Sequence, residues 1–144
     1  MCTEVLEHLK NPFIAVKEIK RVLKPSGKLI LTTRFIFSLH DAPNDYFRYT
    51  KYGLKELFKE WDIIELEAEA NSLETIAVLL QRLIFQVNYK YKSNKFIKSI
   101  LLIFIKIFLF LSKFIKEEFG DIKKERPEKD ILTSGYYLVA INKK

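Results

Sequence analysis

The run NPFIAVKEIKRVLKPSGKLILTT, residues 11–33, constrains the fold more than any other part of this chain. Asn11-Pro12 breaks the preceding EVLEHLK, and Pro12 suits the first turn of a new helix. Phe13, Val16, Ile19, Val22 and Leu23 then recur at helical spacing, with Lys17, Glu18, Lys20 and Arg21 between them. Pro25 cannot continue a helix, and Gly27 is expected to take a left-handed turn. KLILTT follows, short, apolar and β-branched, and reads as a buried strand, parallel to its neighbour. A helix, a sharp stop and a buried strand form one half-turn of an α/β sheet.

The rest of the chain fits that beginning. EVLEHLK reads as a first helical piece. Thr50 is placed to cap the helix KYGLKELFKE, whose Leu54, Leu57 and Phe58 share a face. WDIIELEAEA alternates as a second strand. From Ser72 the character changes. SLETIAVLLQRLIFQVNYKY and KFIKSILLIFIKIFLFLSKFIKEEF read as two apolar helices joined by a polar KSN, and GDIKKERPEKD reads as a solvated linker. ILTSGYYLVAINKK ends the chain as a strand with Tyr137, Val139 and Ile141 on one face. The expected organisation is a partial sheet domain over 1–71, an apolar helical insertion over 72–119, a linker over 120–130 and a last strand over 131–144.

The totals narrow the class. With 144 residues, 49% of them hydrophobic, the chain can build one core. One cysteine, Cys2, excludes a disulfide framework and suits a reducing cytoplasm. The first residues, MCTEVLEHLK, are not a secretory signal. A net charge of +7 suits an anionic partner. The basic residues are dispersed rather than interleaved with stacking aromatics, which speaks against nucleic acid.

Two constellations carry chemistry. HDAPNDYFRYT, residues 40–50, gathers groups able to bind, clamp or move a proton after the first strand. Loops at the carboxyl edge of an open α/β sheet are where ligands bind. His40 is the general-base candidate, because imidazole ordinarily titrates nearest neutral pH. Tyr46 and Arg48 are candidates to hold an anionic or sugar-like acceptor. The alternative is that Asp45 and Arg48 pair, Pro43 shapes the turn and the aromatics pack. The second constellation is Glu4, Glu7 and His8, whose offsets of three and four put them on one face if the segment is helical.

EVLEHLKNPFIAVKEIKRVLKPSGKLILTT, with its Glu-Val-Leu-Glu-His start, Asn-Pro break, Lys-Pro helix end and Gly-led strand, resembles class I S-adenosylmethionine-dependent methyltransferases of the type 11 and ubiquinone/menaquinone-biosynthesis group. HDAPNDYFRYTKYGLKELF resembles the segment after the fifth strand in a subgroup, and GYYLVAINKK the antiparallel last strand. The resemblance covers about residues 2–71 and 131–144. It implies a Rossmann-like sheet and S-adenosylmethionine as cofactor, with Cys2, Thr3, Glu4 and Val5 beside it. It implies a catalytic set of His40, Asp45, Tyr46 and Arg48, and a small-molecule, lipid or glycan precursor as acceptor. In some relatives a Glu-x-x-Glu-His set holds a divalent ion, which here makes Glu4, Glu7 and His8 candidate ligands, with His40 a further one. Carboxylates suit Mg²⁺, and imidazole suits softer metals.

The sequence also departs from the family. Ser26, Arg34 and Trp61-Asp62 replace a usual glycine, proline and Gly-Phe. The four glycines, Gly27, Gly53, Gly120 and Gly135, form no glycine-rich cofactor loop. The resemblance therefore reads the chain as the C-terminal part of such an enzyme, expected by itself to bind cofactor very weakly or not at all and to be inactive. The competing reading is a non-catalytic membrane-associated remnant or interaction protein.

That alternative rests on residues 95–116, which hold five lysines and no acid. At about 100° per residue Lys95, Lys106 and Lys113 nearly coincide, with Lys98 and Lys116 about 60° away, on an otherwise apolar body. A membrane crossing would place Lys106 near mid-bilayer at a cost of roughly 3 kcal/mol. The segment is expected to lie peripherally in a membrane interface, to form a lid with the preceding helix, or to be a core helix.

Overall fold

The computed structural model describes residues 1–88, 94–120, 122–125, 127–128 and 131–143. They form two compact units: Met1–Glu69 with Gly135–Lys144, and Ala70–Ser134.

The first unit is a mixed α/β layer. Its strands are β1 (Cys2–Thr3), β2 (Lys28–Arg34), β3 (Asp62–Ala68) and β4 (Gly135–Ile141), in the spatial order β1-β2-β4-β3. β1 runs parallel to β2, pairing Cys2 with Leu31 and Thr3 with Thr32. β4 is antiparallel to both β2 and β3, with Ile30 opposite Val139 and Leu66 opposite Leu138. The antiparallel last strand is as expected. β1 is an addition to the sequence reading, which began on a helix. EVLEHLK is also not a helix: it holds a single 3-10 turn, Leu6–His8. A turn this short leaves Glu4 outside, at a left-handed φ of 55°, so Glu4, Glu7 and His8 share no helix face.

α1 (Pro12–Val22) starts as the sequence predicts, with Pro12 in the first turn and the Asn11 side chain accepting from Ile14 N at 3.2 Å. Its buried stripe is narrower than the periodicity suggests. Val16 is buried and Ala15, Ile19 and Leu23 pack on the core, while Phe13 and Val22 are exposed. At the helix end, Ser26 carries the left-handed φ of 59°, and no glycine does. Gly27 is needed for space instead: a Cβ there would meet Leu23 Cγ and Lys24 O at 2.8 Å. Asn142, just past β4, donates from Nδ2 to Lys20 O and Leu23 O, both at 3.1 Å. It thereby satisfies the orphan carbonyls of α1 from the far end of the chain.

β2 is not buried on both faces as KLILTT suggests. Leu29, Leu31 and Thr33 are buried, and Ile30 on the opposite face is exposed. α2 (Lys51–Leu57) is capped by Thr50, whose side chain accepts from Gly53 N at 3.1 Å. The core joins Leu6, Val16, Leu29, Leu31, Leu54, Phe58, Trp61, Tyr136, Leu138 and Ala140. In β4 the core-facing set is therefore Tyr136, Leu138 and Ala140, and Tyr137, Val139 and Ile141 take the other face. β4 starts at Gly135 because backbone crowds it: a Cβ there would lie 2.5 Å from Thr33 O.

The second unit holds α3 (Ser72–Gln86) and α4 (Asn94–Ser112). Asn71 and Glu74 form a reciprocal capping box, each side chain accepting from the other's backbone N–H at 3.0 Å. Ser112, at the end of α4, donates to Glu74 Oε1 at 3.5 Å in the first turn of α3, so the two helices run antiparallel. Of the polar KSN joint only Asn94 lies within the described residues, and of the expected linker 121, 126, 129 and 130 lie outside them. No helix among the described residues is long and apolar enough to cross a membrane.

Candidate active site

Because β1 and β2 are parallel, their carboxyl ends leave the sheet on one edge. The 3-10 turn follows β1 there, and the loop 35–50 follows β2. The two segments are fastened together. Glu7 O accepts from Tyr46 N at 2.8 Å and from Phe47 N at 3.2 Å. Tyr49 N donates to Arg34 O at 3.0 Å. The Tyr49 hydroxyl donates to Leu6 O, also at 3.0 Å, and burial, with Glu7 nearby, pushes that phenol well above its ordinary range. It stays a protonated donor at any working pH.

This fastening brings Glu7, His8 and His40 together, one donor atom of each lying within 4.8 Å of the others. The imidazoles of His8 and His40 stand edge to face, centroids 4.8 Å apart, and Phe37 flanks His40 at 5.3 Å. His8 donates from Nδ1 to Asn44 O at 2.7 Å. His40 Nδ1 faces Ser38 O at 3.3 Å and Asp45 Oδ2 at 3.4 Å. In each neutral ring an acceptor at Nδ1 fixes the proton there and leaves Nε2 as the basic nitrogen. His8 Nε2 lies 3.9 Å from the exposed carboxylate of Asp41.

Glu7 is fully buried. Its Oε2 accepts from Thr33 Oγ1 at 2.9 Å, and its Oε1 makes no hydrogen bond among the described residues. A buried oxygen left unpaired costs about 1–3 kcal/mol.

Asp45 is the keystone of the loop. Its side chain is 1% exposed and takes a bidentate pair from Arg48 at 2.5 and 2.6 Å. It also accepts from His40 N at 3.0 Å. The Arg48 guanidinium holds its carboxyl well below the usual carboxylate range. Arg48 itself is raised by the same pair and donates further to Phe47 O and Ser38 O. Its fork is turned inward on Asp45, the pairing that the sequence offered as the alternative for these two residues. Tyr46 is partly exposed, its hydroxyl donating to Asn44 Oδ1 at 2.9 Å and Lys10 standing 5.9 Å from its ring centroid.

Glu4 does not join Glu7 and His8. It pairs with Arg34 and accepts from Thr32 Oγ1 at 2.9 Å. Arg34, read from the sequence only as a replaced proline, also binds Glu69 at 2.9 Å and lies over the Phe37 ring at 4.5 Å. Of the other three residues expected beside a cofactor, Cys2 and Thr3 form the edge strand β1, paired with β2 on one side, and Val5 is exposed. Burial pushes the Cys2 thiol up. Sequence reasoning missed Thr33, Ser38 O and Asn44 O. Strand alternation marks Thr33 as inward, and nothing in a sequence marks a carbonyl.

Residues 1–31 match the family model described as a methyltransferase domain. No curated protein matches the chain. Among solved structures, the (4+2)-cyclase SpnF aligns at 15% identity with a TM-score of 0.50, over 97% of this chain and 47% of its own. A Haemonchus contortus phosphoethanolamine N-methyltransferase, in complex with phosphomonomethylethanolamine and S-adenosylhomocysteine, aligns at 15% identity and a TM-score of 0.44, over 99% of this chain and 32% of its own. The chain thus spans about half the length of the first and a third of the second. The resemblance to methyltransferases is borne out over residues 1–31, and the open α/β fold by the likeness to SpnF. SpnF is a cyclase, so the shared fold alone sets no reaction.

Proposed function

We propose that this chain forms the acceptor side of an S-adenosylmethionine-dependent methyltransferase whose acceptor is a small molecule, lipid or glycan precursor. The observation that carries the reading is the His40 ring at the carboxyl edge of β2, its Nδ1 facing Ser38 O and Asp45, joined to the methyltransferase-domain match over residues 1–31. The residues present fit the acceptor side. Cys2–Val5 offer a cofactor backbone groups and the Val5 side chain, while the Glu4 carboxylate is already engaged. When bound, the cofactor supplies an electrophilic methyl group. The chain's own part is to hold the acceptor near Nε2 of His40 and to take its proton there. Asp45, fixed by Arg48, faces Nδ1 of the imidazole and orients it. Phe37, edge-on to His40, narrows the access of water. An NMR titration of the full chain with S-adenosylhomocysteine tests the reading. Expected are at most weak, fast-exchange shifts confined to Cys2–Val5 and the 38–48 loop; slow-exchange binding, or shifts centred elsewhere, overturn it.

The Glu7 Oε1 atom favours a second reading, in which Nε2 of His40 holds a cation instead of taking the acceptor's proton. A buried carboxylate oxygen without a donor, beside two imidazoles, is a donor set for a divalent cation, of the borderline kind that imidazole suits rather than Mg²⁺. Glu7, His8 and His40 would hold it, with Glu4 outside the set. Such an ion supplies Lewis acidity toward an acceptor oxygen.

A further inference from the structure

We infer that the flank of α4 turned away from α3 is a docking surface for an anionic lipid bilayer. Ile97, Leu101, Ile105, Phe108 and Ser112 are the better-covered positions of α4. Their spacing of four, four, three and four residues makes them one stripe, and Ser112 reaches Glu74 of α3 from it. At about 100° per residue the remaining surface divides in two. One sector holds Phe96, Ile103, Phe104, Ile107 and Phe110, all exposed. The other holds Lys95 and Lys106 beside the exposed Leu102 and Leu109, with Lys98 at its border with the α3-facing stripe, and Lys113 and Lys116 follow in the segment just after α4.

A continuous apolar sector of this size on a described surface marks a contact with something else. The charge beside it selects the occupant. No acid lies between Lys95 and Lys116. A second copy placed on this sector by a two-fold axis would bring its own lysines along, with nothing in the segment to neutralise them. An anionic bilayer neutralises them: the apolar side chains enter the acyl boundary while the lysine stems reach back to phosphates. The helix lies along the surface, since no described helix is suited to cross it.

The test uses the full chain and vesicles of phosphatidylcholine with or without phosphatidylglycerol. The protein is expected to sediment with the mixed vesicles, to be partly released by salt, and to stay in solution with phosphatidylcholine alone. Neutralising Lys106→Gln and Lys113→Gln should each weaken partitioning about fivefold. A Phe110→Trp variant supplies a second readout that needs no loss of function. Its emission should shift to the blue on mixed vesicles, against a constant background from the buried Trp61. Equal sedimentation with both vesicles, or none with either together with an unshifted spectrum, overturns the proposal. A dimer that Phe110→Ser converts to a monomer, without vesicle binding in either form, assigns the surface to a second copy and overturns it likewise.

Discussion

His8 and His40 meet edge to face, 4.8 Å between ring centroids, although one follows β1 and the other follows β2. The parallel pairing of Thr3 with Thr32 sets those two exits side by side. The carbonyl of Glu7, accepting from both Tyr46 and Phe47, then holds the loop against the turn. Backbone thus builds the imidazole pair, and side chains only tune it.

The first consequence is kinetic. If Nε2 of His40 takes the acceptor's proton, then in an enzyme that joins this segment to a cofactor-binding half His40→Ala should lower kcat about 100-fold or more, with little change in the KM for cofactor. The pair to compare is Tyr46→Phe, which keeps the ring and loses only the hydroxyl bond to Asn44. A near-normal kcat in His40→Ala would return this ring to packing between His8 and Phe37.

A second consequence concerns the cation. Zn²⁺ or Co²⁺ added to the apo protein should raise its Tm, and Co²⁺ should give visible d–d bands from mixed nitrogen and oxygen ligands. Glu7→Gln preserves the volume and the bond from Thr33 but removes the charge, and should abolish both effects. Glu4→Gln should leave both intact, because Arg34 and Thr32 already occupy that carboxylate. Loss of both effects in Glu4→Gln would restore Glu4 to the ligand set.

What the sequence disclosed was local. Pro12, Thr50 and the Asn71–Glu74 pair act within four residues of where they stand, so helix starts were legible. Leu54 and Phe58 were legible as core for the same reason. β1 was not, because two residues carry no period, and Cys2 and Thr3 are strand only by virtue of Leu31 and Thr32. Phe13 and Val22 fit the helical period yet are exposed, since the contact face of α1 is narrower than its apolar stripe. The loop was legible as a site from its composition. Its wiring was not: Asn44 O holding His8 and Arg48 turning inward on Asp45 depend on contacts the chain order does not announce.

The Asp45–Arg48 pair predicts an acid-sensitive loop. The folded protein lowers the Asp45 carboxyl below its ordinary value, so as pH falls the unfolded chain binds the proton first. The stabilisation is therefore complete above about pH 5 and lost progressively below about pH 4. Asp45→Asn should cost about 2 kcal/mol near neutral pH. Its deficit against the parent, measured by denaturant unfolding, should shrink as the pH is lowered. A deficit that stays constant across that range would mean the carboxylate's charge contributes nothing beyond its shape.

The last prediction separates two neighbours at the end of α1. Ser26 holds a left-handed φ of 59° with a Cβ that disfavours it. Gly27 has no positive φ and lacks only room, with Leu23 Cγ and Lys24 O at 2.8 Å from where its Cβ would stand. Ser26→Gly should therefore stabilise the protein by about 1 kcal/mol, because the gain from relieving the left-handed strain exceeds the added freedom of the unfolded chain. Gly27→Ala should destabilise by about 1–3 kcal/mol, because the Lys24 carbonyl is backbone and cannot swing aside. Thermal melts of the two single variants decide it. Opposite signs are expected, and a destabilised Ser26→Gly would mean that the serine side chain supports the turn in a way its backbone angle does not reveal.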